Sequence, residues 1–458
     1  MSGKTHFIGI GGTGLSAIAR VLLERGEAVS GSDRAMSEQA LALQKDGAQV
    51  FVGHKAEQVN GAERVIRSSA VQDDNVEVQR ALEKGIPVLK RSDALGSILE
   101  GKRLIAVAGS HGKTTTSAMV AWMLSAMGEQ PGYIVGSALP NTGTNASAGK
   151  SDLFVIEADE YDYMFLGLSP NLALVTNVEH DHPDMFPSRE SFFDAFHQFL
   201  DRVVDGGAVL YCADDVGAAE IAGYAKMRGK QIYSYALADA RAQFRATNVK
   251  SIEGGGTHFR FEGPEVQVDE VKLPVPGKHN VQNATGALAA VALLGFSVEA
   301  AVDALSDFAG TGRRFEEVGV TGGITFVDDY GHHPSEIAAT LEAANSRYPN
   351  QRLIAVWQPH TYSRTLLLWG SFMDSLLGAA QVFVLPVFAA REQQPEQFDL
   401  ERMLADASQL KAHYCADFDQ ALSALEAELK SGDIVLVLSA GDATAINQQL
   451  VQRIGDRT

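Results

Sequence analysis

The stretch LIAVAGSHGKTTT, Leu104 to Thr116, decides how the chain folds. Five apolar residues read as a strand buried on both faces, the glycines after them mark a tight loop, and Ala118, Val120, Ala121 and Leu124 continue a helical pattern. Such a strand, loop and helix ending in Gly112-Lys113-Thr114 cradles phosphate: backbone N–H groups face the anion, Lys113 meets the outer phosphates, and Thr114 offers its hydroxyl to Mg²⁺. The loop departs from the ordinary G-x-x-x-x-G-K-T spacing, because Val107 stands where the first glycine belongs. A chance turn remains the alternative, but the combined features favour phosphate.

A magnesium ion needs hard oxygen ligands near that loop, and in a parallel sheet they come from the carboxyl ends of neighbouring strands. LFVIEADEYD places Glu157 and Asp159 at one such end, and LALVTNVEHDHPD places Glu179, His180, Asp181 and His182 at another. Solvated turn acids and a locally bonded histidine are the plain reading of either cluster alone. Two clusters beside one phosphate loop point to metal and phosphate chemistry.

Upstream, FIGIGGTGLSAIARVLLERGEAVSGSD (Phe7 to Asp33) carries a second glycine loop, Gly9-x-Gly11-x-x-Gly14, with Asp33 after the next strand. Its glycines let a helix N-terminus approach phosphate and its acid suits a ribose, but nothing in it demands nicotinamide. An NAD-dependent oxidoreductase would need this loop alone and would leave the second one idle. Two phosphate loops suit an enzyme that uses ATP to activate a nucleotide-linked substrate.

Strand and helix patterns alternate along all 458 residues, which predicts an α/β protein of three domains. Residues 1–102 read as a Rossmann-like unit. Residues 103–310 read as a P-loop ATPase-type parallel sheet, with a β-hairpin edge after Gly254-Gly255-Gly256. Residues 311–458 read as a second Rossmann-like unit. The formal net charge of −19 argues against a nucleic-acid partner. Cys212 and Cys415 show no metal-ligand spacing. No run approaches the length of a membrane span, and the first residues read as a strand rather than a signal peptide, so a cytoplasmic protein is expected.

Taken in order, GIGGTGLSAIA, AGSHGKTTT, GTNASAGKSD, EADEYD, TNVEHDHPD, PGKHNVQNA, GRRFE, DDYGHHPSE and QPHTYSRT resemble the Mur ligases of bacterial cell-wall synthesis over nearly the whole chain. The resemblance implies an ATP-dependent ligase that joins the lactyl carboxylate of UDP-N-acetylmuramate to L-alanine through an acyl phosphate. It further implies that Gly109, Ser110, His111, Gly112, Lys113, Thr114 and Thr115 cradle ATP, with His279, Asn280 and Asn283 near adenine. Arg314 would reach phosphate and Asp329 ribose. Thr114 and Glu157 would hold one Mg²⁺ and His182 a second; Lys113, Glu157, His182 and Arg314 would form the catalytic set. Gly11, Thr13, Gly14, Ser32, Asp33 and Ser69 would meet UDP, Asn145 the sugar, and Tyr330, His332 and Arg364 the amino acid.

Three departures matter. Ser110 replaces the usual Thr and keeps a hydroxyl. No lysine lies between Lys150 and Lys226, so the carbamylated lysine of several sister ligases has no counterpart. Tyr161 replaces the Ser common in L-alanine-adding members, and a Tyr also occurs in the ligase that reattaches a recovered tripeptide, which makes that peptide the alternative acceptor. A noncatalytic nucleotide-binding regulator is the third reading; the presence of Lys113, Thr114, Glu157 and His182 speaks against it.

Overall fold

The structure is a computed structural model that describes residues 3–252, 255–407 and 409–456. Five strands open the chain: β1 (Thr5–Ile8), β2 (Val29–Asp33), β3 (Gln49–Val52), β4 (Arg64–Arg67) and β5 (Val88–Leu89). They pair in parallel in the order β3-β2-β1-β4-β5. The order reverses beside β1, and the crevice at that point lies beyond the carboxyl strand ends. The glycine loop fills it. Gly9 takes φ +89°, which favours glycine, and Ser32 O accepts from the N–H groups of Gly9 (2.8 Å) and Ile10 (3.1 Å).

The second sheet has ten strands: β6 (Arg103–Ala108), β7 (Gly132–Leu139), β8 (Thr144–Ser147), β9 (Leu153–Glu157), β10 (Leu172–Val175), β11 (Ala208–Cys212), β12 (Gln231–Ala236), β13 (Phe244–Ser251), β14 (Thr257–Gly263) and β15 (Val266–Leu273). Their order is β15-β14-β13-β12-β11-β10-β6-β9-β7-β8. The phosphate-loop strand β6 therefore lies between β9 and β10, the two strands whose ends carry the expected metal residues. The edge expected as a hairpin is larger: β13, β14 and β15 form an antiparallel meander, and β13 joins the sheet in parallel with β12. Gly254 of the glycine run lies outside the described residues.

The third sheet comprises β16 (Glu316–Thr321), β17 (Ile324–Asp329), β18 (Leu353–Trp357), β19 (Gln381–Val384), β20 (Ala412–Tyr414) and β21 (Ile434–Leu438), in the order β16-β17-β21-β18-β19-β20. All pairings are parallel except that of β16 with β17. One buried apolar cluster runs from Phe7 and Ile18 of the first unit to Phe154 and Phe165 of the second. Glu24 reinforces this contact by accepting from Ala148 N (2.7 Å) and Ser147 Oγ (3.0 Å). The third unit packs its own apolar layers on both faces of its sheet. Among the described residues no helix is long and apolar enough to cross a membrane.

Candidate active site

The carboxyl end of β6 runs into a loop that its neighbour holds open. Gly109 takes φ +136°, and a Cβ there would stand 2.1 Å from Thr176 Oγ1. Thr176 Oγ1 donates to His111 O (2.6 Å), and Asn177 Oδ1 accepts from His111 N (2.8 Å). Ser110 Oγ donates to Glu179 O (2.6 Å), so its hydroxyl braces the loop from beneath. Gly112 (φ +79°) precedes the helix Lys113–Ala126 and leaves room for Asn283, whose Oδ1 would lie 2.5 Å from an added Cβ. The helix Lys278–Leu293 thereby brings Asn283 against the loop, with Asn280 one turn before it and bonded through Nδ2 to Pro276 O at 2.7 Å. Burial and then the Arg314 charge push His279 down to about 4, which leaves a neutral ring.

Lys113 Nζ folds back onto Gly109 O (2.5 Å) and Ser110 O (3.1 Å), and its counterion is the buried Glu160, 2.9 Å away. Burial works against the ammonium, yet Glu160 and Asp159 outweigh it and raise its pKa. Asp159 pairs with Arg91 of the first unit at 2.8 Å, and Arg91 and Lys113 lower its pKa against burial. Arg91 also lies at the first glycine loop, because a Cβ on Gly14 would stand 2.6 Å from its Nη1. Neither Glu160 nor Arg91 was singled out from sequence. Four acids in EADEYD hinted at the first, and nothing in the spacing marks the second.

Gly136, at the bend of β7, donates its N–H to Glu157 Oε2 (2.7 Å). A Cβ there would lie 2.6 Å from Glu157 Oε2 and 2.9 Å from Thr114 Oγ1, so the glycine keeps open a small space walled by a hydroxyl and a carboxylate. That oxygen donor set suits Mg²⁺. His182 sits at φ +53° with Nε2 3.7 Å from Glu160 and 3.8 Å from Asp181.

The third unit closes the site. Arg314 lies 4.8 Å from the Tyr330 ring centre and 3.4 Å from Glu336, which with Asp329 raises its pKa despite burial. Arg364 is 2% exposed and already paired: Nη2 lies 2.8 Å from Asp181 Oδ1, and Nη1 lies 3.0 Å from His360 Nδ1. A central-unit acid thus meets the charge of Arg364. Burial pushes His332 well below its usual value, and burial with Arg364 pushes His360 to about 4. Arg391 stacks over Tyr161 at 4.6 Å and donates to its hydroxyl, which bonds Asp184 at 3.3 Å.

These groups line one cleft of about 940 Å³ reaching all three units. Thr13, Gly14, Ser69, Asn145, Ser110, His111, Gly112, Lys113, Thr114, Glu157, His182, Arg314, Tyr330, His332 and Arg364 all face it. Gly109, Thr115, His279, Asn280 and Asn283 do not line this cleft. Gly11 and Asp33 are also set back, with Gly11 N–H bonded to Asp33 Oδ2 at 2.8 Å. Ser32 is fully buried and bonds Glu77 (2.5 Å), so its hydroxyl does not face the cleft as expected. Asp329 likewise lies behind the wall: it accepts from Phe315 N (2.8 Å), Gly331 N (2.7 Å) and Thr340 Oγ1 (3.2 Å), and holds the junction that presents Arg314.

Family models match the chain in three consecutive parts: the Mur ligase family catalytic domain over residues 4–103, the Mur ligase middle domain over 107–291, and the Mur ligase glutamate ligase domain over 313–441. UDP-N-acetylmuramate–L-alanine ligase of Thermobifida fusca is 41% identical, covering 99% of this chain and 97% of its own length. The enzyme of the same name from Caldanaerobacter subterraneus is 38% identical, covering 98% and 97%. The crystal structure of UDP-N-acetylmuramate-alanine ligase from Thermotoga maritima superposes with a TM-score of 0.83 at 27% identity, covering all of both chains. A murein peptide ligase from Psychrobacter arcticus gives 0.73 at 25% identity, covering 99% of each. Matched from end to end in sequence and fold, the chain belongs to the Mur ligase family.

Proposed function

We infer that the chain is an ATP-dependent ligase of peptidoglycan synthesis that joins the lactyl carboxylate of UDP-N-acetylmuramate to L-alanine, with release of ADP and phosphate. The observation that carries this reading is the single cleft onto which both phosphate-binding loops and Arg314 open. The relatives named for L-alanine ligation, at about 40% identity over nearly the whole chain, favour L-alanine over the tripeptide.

A carboxylate is a poor electrophile, so it is first phosphorylated. A lactyl oxygen bonds to the γ-phosphorus as the bond to the bridging oxygen breaks and ADP leaves. The L-alanine nitrogen then bonds to the acyl carbon, the bond to phosphate breaks, and the amine gives up its proton. Two anions must meet in the first step, and cationic groups offset their repulsion. Lys113 exchanges its loop carbonyls for the outer phosphates, and Arg314 approaches them from the third unit. Thr114 and Glu157 would hold one Mg²⁺ in the space beside Gly136 and His182 a second, supplying charge neutralisation at the phosphates. His279, Asn280 and Asn283 would bound the adenine, and Asp329 positions Arg314. Thr13, Gly14 and Ser69 would receive UDP, with Asn145 at the sugar. Tyr330, His332 and Arg364 would wall the amino-acid end, where burial keeps His332 and His360 uncharged, so that neither repels an incoming ammonium. We assign residues 1–102, 103–310 and 311–458 to UDP-sugar, ATP and amino acid respectively, and the enzyme to the cytoplasm, where ATP is available.

The test is ADP release by the full chain with each substrate omitted in turn. Release that needs both UDP-N-acetylmuramate and L-alanine supports the reading. Equal or faster turnover with the tripeptide overturns the acceptor assignment, and tight NADH binding followed by fluorescence would overturn the ligase reading.

A further inference from the structure

His111 leaves the phosphate loop toward the third unit and meets three groups there and on β10's extension. Its Nε2 lies 3.4 Å from Glu179 Oε2, and its Nδ1 lies 3.3 Å from Glu336 Oε1. His333 Nδ1 lies 3.9 Å from the same Glu179 oxygen, and the two imidazoles face each other at 4.6 Å between centres. One ligand atom from each of His111, Glu179 and His333 lies within 4.8 Å of the other two.

These contacts leave polar atoms unsatisfied. Both ring nitrogens of His111 and Nε2 of His333 are buried without a hydrogen bond, and His333 is only 2% exposed. Tetrahedral ligands held about 2.0–2.1 Å from a zinc ion stand about 3.3 Å apart. The 3.4 Å between His111 Nε2 and Glu179 Oε2 already matches that spacing, and His333 Nδ1, 3.9 Å from the same oxygen, would give up its long hydrogen bond from Ser335 N (3.4 Å) for the ion. The outer arrangement matches as well, because a metal-bound histidine usually turns its second nitrogen to a carboxylate, and Glu336 occupies that place for His111. Two imidazoles and one carboxylate suit a borderline transition metal rather than Mg²⁺.

We propose that His111, Glu179 and His333 form a site for a divalent transition-metal cation of the Zn²⁺ class, which ties the phosphate loop to the third unit. Glu179 and His111 supply ligands from the central unit, and His333 supplies one from the helix Pro334–Arg347 that it caps. Bound there, the cation bridges the phosphate loop and the third unit. This site is distinct from the space beside Gly136.

The test uses the chelator-stripped full chain in excess Mg²⁺, titrated with Zn²⁺ by calorimetry and with Co²⁺ by visible absorption. One equivalent of Zn²⁺ and the intense bands of tetrahedral Co²⁺ are expected. His333→Asn keeps a helix-capping side chain while removing the imidazole, and Glu179→Gln alters a different element. Each should weaken Zn²⁺ binding by at least about tenfold, since even an outer partner's loss costs about that much. Melting curves of both variants confirm the fold. Binding unchanged in both variants places the ion among the Mg²⁺ ligands and overturns the proposal, as does the absence of saturable binding in the parent.

Discussion

Lys113 and Glu160 form a buried ion pair, 2.9 Å from nitrogen to oxygen, at the centre of the phosphate loop. The lysine that is to meet ATP is held in reserve by an acid that is 1% exposed. Lys113→Ala should lower the rate of ADP release by about 10³ or more, the scale of removing a charge-stabilising donor. It should also lower the melting temperature, because Glu160 is left buried alone. Adding Glu160→Gln should recover the stability and none of the activity. Recovery of neither in the double variant would show that the pair is not what holds the loop.

Gly136 has an ordinary backbone conformation, so Gly136→Ala should fold with a melting temperature near the parent's. Its methyl group would stand within 3 Å of both Thr114 Oγ1 and Glu157 Oε2. The Mg²⁺ concentration for half-maximal activity should rise by about tenfold or more, a loss of roughly 1.4 kcal/mol in binding. An unchanged Mg²⁺ dependence would remove Thr114 and Glu157 as ligands.

Arg364 and Asp181 tie the third unit to the central one through a pair that is almost wholly buried. Asp181→Asn and Arg364→Ala should each destabilise by about 3–5 kcal/mol, because each strands the other group in the interior. The double variant should cost less than the sum, as a double-mutant cycle by denaturant titration would show. Burial opposes ionisation of Asp181, but Arg364 and the nearby histidines hold its pKa well below 3.8. Its contribution is therefore complete above about pH 4 and is lost only as the pH falls below that value.

His111 titrates in the opposite sense. Burial disfavours its charge, yet Glu336 and Glu179 outweigh it and raise the pKa from 6.5 to about 9, while His111 in turn draws Glu179 down to about 2. A raised histidine contributes fully below pH 6.5, and the contribution fades as the pH climbs through 9. In chelator-treated protein, stability should fall by up to about 3 kcal/mol across that window. His111→Gln should flatten this slope. A slope that survives the substitution would assign it to other groups.

The parts legible in sequence were those set by local spacing. Lys113 and Thr114 follow their strand directly, and Glu157 and His182 lie at or just beyond strand ends that a parallel sheet brings to one edge. What escaped depends on partners distant along the chain. Arg91 meets Asp159 across 68 residues, and Asp181 meets Arg364 across 183, which no periodicity records. Strands β7 and β8 carry a weak sequence signal, because β7 is interrupted by an exposed bend at Gly136 and Ala138 and β8 is short and polar. Ser32 and Asp33 looked like ligand groups by position; tertiary packing turned one inward to Glu77 and the other onto Gly11.

The placement of β6 between β9 and β10 also imposes a birth order on the catalytic machinery. A chain emerging from the ribosome completes its first sheet by Leu89 and can settle that unit early, since domains fold as units from the N-terminus. The nucleotide loop, although synthesised by residue 116, has no scaffold until Thr176 and Asn177 arrive to hold His111. A nascent fragment stopped near residue 150 therefore carries the whole Gly-Lys-Thr signature and yet captures no ATP.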